Sequence, residues 1–153
     1  QPITLLIQTQ IEPDWSQLSK TNMFVELPQV KEFTPGFSEG ETYRFRLLAN
    51  PPVRRKQEDG KRRRVGLYST EEQQDWIQRK ANLGGFIIKA VNLIDLGMIE
   101  SIKRRNNQTY HIKHLGIQFD GILQVSNRED FQQSLVIGIG SAKAFGFGLL
   151  SLG

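Results

Sequence analysis

The last sixteen residues, GIGSAKAFGFGLLSLG (Gly138–Gly153), constrain this chain more than any other stretch. Five glycines, Gly138, Gly140, Gly146, Gly148 and Gly153, are interleaved with Ile139, Lys143, Phe145 and Phe147 and with a short apolar run, Leu149–Leu152. Glycine loses the most backbone entropy on folding, so this density marks sharp turns or a close approach to the backbone. An amphipathic stretch, Glu129–Val136, comes just before, so the segment reads as a turn joining a helix to a final strand. Exposed N–H groups beside the Lys143 cation would also make a phosphate cradle. On these residues alone both readings stand.

Charge is modest in sum and concentrated in place. The net charge is +4, yet Arg54, Arg55, Lys56, Lys61, Arg62, Arg63 and Arg64 fall within eleven residues, broken by Gln57-Glu58-Asp59-Gly60. Asp-Gly is a strong two-residue turn signal, so the tract reads as a hairpin or flexible loop with guanidiniums on both arms. Arginine forks match phosphate oxygens and stack on bases, which suits RNA; a solvated surface loop has the same composition. A second basic element, Lys103-Arg104-Arg105, precedes Asn106-Asn107 and then Tyr110, His111, Lys113 and His114. Period-two spacing on both sides of Asn106-Asn107 predicts a β-hairpin, either RNA-binding or simply solvated.

The remaining elements follow from periodicity. Ile3–Thr9 reads as a strand, Met23–Leu27 as a short extended piece, and Pro28 to Gly40 as a loop. In Glu41–Ala49, Tyr43, Phe45 and Leu47 share one face, while Arg44 and Arg46 share the other. Ser69 or Thr70 caps a helix that runs to about Leu83 and stops at Gly84-Gly85, with Trp76, Ile77, the Lys80 stem and Leu83 as its packing stripe. Gly85–Asp95 is strand-like and is interrupted at Gly97, and Leu115–Val125 alternates again. Asn127 caps a second helix over about Arg128–Val136, with Phe131, Leu135 and Val136 inward, and Phe147–Leu152 closes the chain as a strand. The order β-α-β-β-α-β over Glu41–Gly153 is that of a ferredoxin-like unit, an α+β fold.

Composition narrows the function classes. With 153 residues, 38% hydrophobic, the chain is long enough for one good core or two small ones. It has no cysteine, so disulfides and thiolate metal sites are excluded, in keeping with a cytoplasmic location. Two histidines and scattered carboxylates (Asp95, Glu100, Asp120) offer no metal-ligand spacing, and no cofactor fingerprint is present. No apolar run reaches the ~20 residues a membrane span needs. The opening QPITLLIQTQ has neither a basic n-region nor an initiator Met, which points to a fragment or trimmed product.

Three stretches together resemble a known family. They are GIGSAKAFGFGLLSL, RFRLLANP (Arg44–Pro51) and the basic tract after that proline, and they are similar to the CasE family, the CRISPR RNA-processing endoribonucleases of the type I-E Cascade complex. The family motif G-I-G-x-x-K-x-x-G-x-G-L-L fits at Gly138, Ile139, Gly140, Lys143, Gly146, Gly148, Leu149 and Leu150. WIQRK (Trp76–Lys80) and FDGILQV (Phe119–Val125) extend the similarity, which runs from about Ile3 to the end. The resemblance implies two tandem ferredoxin-like, RAMP-type domains, of which residues 41–153 would be the second. Residues 1–12 would then be the last strand of a mostly absent first domain, with 13–40 as linker. It also implies RNA contacts at Arg54–Arg64, at Lys103, Arg104 and Arg105, and at Gly138, Gly140, Lys143, Gly146 and Gly148. The implied partners are CRISPR repeat RNA, other Cascade subunits, and the family's N-terminal part supplied as a separate piece.

The family cleaves RNA without a metal, through attack by the ribose hydroxyl beside the scissile phosphate. That reaction needs a base, an acid and cations for the phosphorane charge. The family's catalytic His and nearby Tyr lie on the first helix of the first domain, and no position here matches them. This chain alone is therefore expected to be inactive. His111 and His114 are the only substitutes, and as i, i+3 neighbours on a strand they face opposite sides. Two functions remain open: the RNA-binding part of a repeat-specific endoribonuclease, and a non-catalytic RNA-binding or scaffolding protein. A ribosomal-type RNA binder would share the composition but not the terminal motif.

Overall fold

The computed structural model describes residues 5–16, 26, 28–33, 36–105 (backbone only at 103–105) and 108–153. The chain divides into two compact units, 1–36 and 37–153. In the first unit, residues 5–9 carry no strand, contrary to the reading of Ile3–Thr9. A strand needs a ladder partner for its N–H and C=O groups, and none of the described residues of that unit supplies one. Residues 3 and 4, and nearly all of Met23–Leu27, lie outside the described residues.

The second unit is built from β1 (Thr42–Ala49), β2 (Pro52–Lys56), β3 (Arg62–Gly66), α1 (Thr70–Leu83), β4 (Phe86–Arg105), β5 (Gln108–Val125), α2 (Arg128–Ile137) and β6 (Leu150–Leu152). β4, β5, β1 and β6 form an antiparallel sheet in that order, and β2 and β3 form a separate two-stranded hairpin inserted after β1. Without the insertion the sequence is β1-α1-β4-β5-α2-β6, the ferredoxin-like arrangement predicted from periodicity.

Both helices start where a side chain can satisfy an orphan amide. Ser69 Oγ accepts from Glu72 N, and Asn127 accepts from Asp130 N, each with two acids in the first turn. Their apolar faces meet one side of the sheet: Trp76 stacks on Phe119 at 5.8 Å, and Phe131 packs edge-on to Phe86 at 5.8 Å. Phe37 belongs to this core, 4.8 Å from Phe131, so the folded unit begins inside the stretch expected to be linker. Leu83 and Val136, expected to point inward, are 77% and 56% exposed. Ala81 and Leu135 occupy the buried positions beside them, because a 3.6-residue period admits only one narrow stripe.

β4 and β5 are longer than the sheet requires. β1 pairs with β5 only as far as Ile117, so Met98–Arg105 and Gln108–Leu115 continue as a two-stranded arm whose base, at His114 and Leu115, is still packed on the core. At about 3.3 Å per residue the arm projects roughly 25 Å. It begins at a bulge between Asp95 and Met98, where Gly97 N donates to the Asp95 carboxylate at 2.7 Å.

Candidate nucleic-acid interface

The β2–β3 hairpin sets its cations directly against one another. Arg54 faces Arg64, Arg55 faces Arg63 and Lys56 faces Arg62 across the ladder. Like charges in directly opposed positions are destabilising, so the isolated hairpin is built against its own electrostatics. Its tip is longer than the two-residue Asp-Gly turn expected from the sequence. Gly60 N donates to Gln57 O at 2.9 Å, leaving residues 57–61 outside the strands. The reason lies in Asp59, whose carboxylate accepts from Lys61 N at 3.0 Å and pairs with Arg63 at 2.9 Å. Arg55 pairs with Glu72 at the start of α1. No ion pair is present at Arg54 or Arg64 among the described residues.

Arg54 and Arg64 line a groove of about 340 Å³ together with Arg79 and Lys80 of α1 and with Gly140 and Ser141 of the glycine-rich loop. The sequence pattern places the Lys80 stem in a packing stripe and does not single out Arg79. The Lys80 ammonium sits 6.0 Å from the Trp76 ring centroid, at the outer edge of cation–π distance. The adjacent pair Arg79-Lys80, one turn beyond the buried Trp76, was the available signal.

The glycine-rich loop is packed tightly. Gly138 N donates to Ser134 O, Ile139 N to Gly148 O, and Gly148 N to Leu48 O, at 2.7 to 2.8 Å. Phe145 N and Gly146 N also bond within the loop. These five amides are committed to protein carbonyls, so the cradle of open N–H groups does not form from them. At Gly148, φ is +87° and a Cβ would lie 2.7 Å from Ile139 O. Gly140 lies flat against the Trp76 ring, where a Cβ would come within 3.1 Å. Lys143, in a short 3-10 turn (Lys143–Phe145), is exposed and runs its aliphatic stem past Gly138 and Gly148.

The two histidines sit in different settings. His111 is exposed and pairs with Glu100 at 2.8 Å. His114 is half-buried, with Nδ1 3.0 Å from the Asn50 amide nitrogen and its ring 4.8 Å from Phe145 and 5.5 Å from Phe147. The other ring nitrogen, Nε2, is buried and has no hydrogen-bond partner among the described residues. On β5 the two residues face opposite sides and do not converge on one point. Lys103, Arg104 and Arg105 hold the register positions opposite Tyr110, Thr109 and Gln108 near the end of the arm; Asn106-Asn107 lie outside the described residues. Among the described residues no cluster of three or more metal-ligating side chains forms, and no helix is long and apolar enough to cross a membrane.

On the sheet face away from the helices, Arg46 makes a bidentate contact with Asp120, at 2.7 and 3.1 Å. The Arg46 hydrogen bond holds the Asp120 carboxyl below the usual carboxylate range.

Comparison with known proteins places this geometry. The family described as CRISPR associated protein matches residues 1–153. The CRISPR-associated endoribonuclease Cse3 of Thermus thermophilus is 35% identical over 161 aligned positions, covering 99% of this chain and 74% of that protein. A structure of the CRISPR endoribonuclease Cse3 bound to a 19-nucleotide RNA superposes with a TM-score of 0.79 at 32% identity, covering 95% of this chain and 71% of the other. The crystal structure of Cas6e from Escherichia coli K-12 gives a TM-score of 0.63 at 29% identity, covering 80% and 65%. The chain belongs to the CRISPR-associated protein family and is of the CasE type.

Proposed function

We propose that this chain is the RNA-holding part of a metal-independent endoribonuclease that recognises the CRISPR repeat stem-loop and processes precursor transcripts into guides as a Cascade subunit. The observation that carries the proposal is the set of three directly opposed cation pairs, Arg54–Arg64, Arg55–Arg63 and Lys56–Arg62. Arg55 and Arg63 are already paired with Glu72 and Asp59, but Arg54, Lys56, Arg62 and Arg64 have no ion-pair partner among the described residues, so a polyanion relieves their repulsion, and phosphate contacts dominate nucleic-acid affinity. The similarity to Cse3, solved with RNA, gives the class of polyanion. The hairpin grips one region of the RNA backbone; the narrow β4–β5 arm, with Lys103, Arg104 and Arg105 near its end, reaches a second; Lys143 on its packed loop supplies a third point of contact.

In the reaction class implied by the family, the ribose 2′-oxygen attacks the phosphorus and the P–O5′ bond breaks. A cyclic phosphate and a 5′-hydroxyl result, with one proton removed by a base and one delivered by an acid. His111 is held by Glu100 and His114 by Asn50 and two phenylalanines, on opposite sides of one strand, so they do not form that pair. The chain on its own therefore binds without cutting. Native and denaturing gels from one tube of protein, repeat stem-loop RNA and chelator test this. A shift with intact RNA is expected, shortened RNA would overturn the binding-only reading, and an unshifted probe beside a folded chain would overturn RNA binding.

A further inference from the structure

We infer that the groove between the β2–β3 hairpin and α1 is a separate RNA site, which takes the phosphodiester backbone of a single-stranded segment flanking the stem. The inference rests on the RNA-binding reading above and adds to it a strand type and two residues, Arg79 and Lys80. Four cations converge there from two elements, Arg54 and Arg64 from the hairpin and Arg79 and Lys80 from the helix, and none of the described lining residues is acidic. Two carboxylates of these elements are engaged away from it: Glu72 with Arg55, and Asp59 with Arg63. Cations facing each other across a gap surround a single backbone, whereas a duplex would have to lie over the rim of a space of about 340 Å³.

The floor of the groove says what is read there. Gly140 offers no side chain, and the Ser141 hydroxyl is directed to Asn50 O at 3.2 Å. Trp76, the aromatic residue in the lining, is only 3% exposed and stacks inward on Phe119, so it gives a base no face to stack on. A site with cations and no stacking platform holds phosphates and tolerates any base. It therefore contributes affinity and salt dependence, while sequence preference arises elsewhere on the protein.

The test compares the wild-type chain with an Arg79→Gln/Lys80→Gln variant, which removes both charges and keeps polar side chains on the helix surface. Binding is measured in chelator with the blunt repeat stem-loop and with the same stem-loop carrying about eight unpaired uridines at one end or the other. Wild type should bind at least one extended probe more tightly than the blunt one, and the variant should lose that gain while keeping its affinity for the blunt probe. The slope of log affinity against log salt for the extended probe should flatten by about 1.4, at about 0.7 per single-strand phosphate contact. Equal losses on blunt and extended probes would assign the groove to the stem and overturn the inference, as would no loss on either. Failure of wild type to bind the blunt probe would overturn the RNA reading on which it rests. Single Arg79→Glu, an exposed position, gives the same readout should the double variant melt early.

Discussion

His114 and Asn50 are joined by a hydrogen bond of 3.0 Å that ties β5 to the end of β1 at the place where the glycine-rich loop packs down. Phe145 and Phe147 of that loop rest on the same imidazole, and Ser141 bridges to the Asn50 backbone. His114 thus acts through the loop that carries Lys143. Replacement by Ala should cost about 1–2 kcal/mol, from one hydrogen bond and an aromatic contact. It should also speed hydrogen exchange at the Ile139 and Gly148 amides. His111→Ala removes only an exposed contact with Glu100 and should stay within about 0.5 kcal/mol. Denaturant titration of both variants checks the contrast, and equal costs would contradict it.

Gly148 and Gly146 both have positive φ, +87° and +83°, but only Gly148 has backbone in the way. Alanine at either should incur strain of about 1–2 kcal/mol. At 148 the collision with Ile139 O adds to it, so Gly148→Ala should melt well below Gly146→Ala. Thermal melts decide this, and similar melting points would mean the loop is looser than its hydrogen bonds indicate.

The Arg46–Asp120 pair sets a pH dependence with a definite sign. Asp120 is held more acidic in the folded chain than in the unfolded one, so its contribution is complete above the ordinary aspartate value of about 3.9. It is lost as pH falls further, through the lowered folded-state value. Stability measured downward from about pH 5 should therefore fall less steeply in Asp120→Asn than in wild type. Parallel curves would contradict the assignment.

The opposed cations of β2 and β3 imply a trade of stability for binding. Arg64→Gln removes one member of the Arg54–Arg64 pair and should raise stability by about 0.2–1 kcal/mol, while weakening RNA binding and flattening its salt dependence. Calorimetry of the free protein and titration with RNA read the two effects separately. A variant both less stable and unchanged in binding would contradict the account.

Much of the architecture was legible in the chain because its elements carry strong local signals. Ser69 and Asn127 mark helix starts, Gly84-Gly85 marks a stop, and alternation through Phe45, Leu47, Phe119 and Leu123 marks the buried sheet face. The misreadings arise where tertiary context outweighs pattern. Residues 5–9 have a strand-like composition without a ladder partner, and Asp59 stays in a longer turn, where its carboxylate accepts from Lys61 N and pairs with Arg63. The glycine-rich loop looked open because its hydrogen-bond partners, Ser134 and Leu48, come from other elements that no local reading of the loop includes. The Arg79–Lys80 wall of the groove was missed for a related reason. A helix surface becomes a site only when another element, here the β2–β3 hairpin, is laid beside it.

The central claim is that the cations of this unit hold RNA through its phosphates, and a titration of labelled repeat stem-loop RNA in chelator at two salt concentrations tests it most directly. The account predicts saturable binding that weakens steeply as salt is doubled, with the RNA intact at the end of the titration. Binding indifferent to salt, or no binding by a chain whose circular dichroism shows it folded, would contradict it.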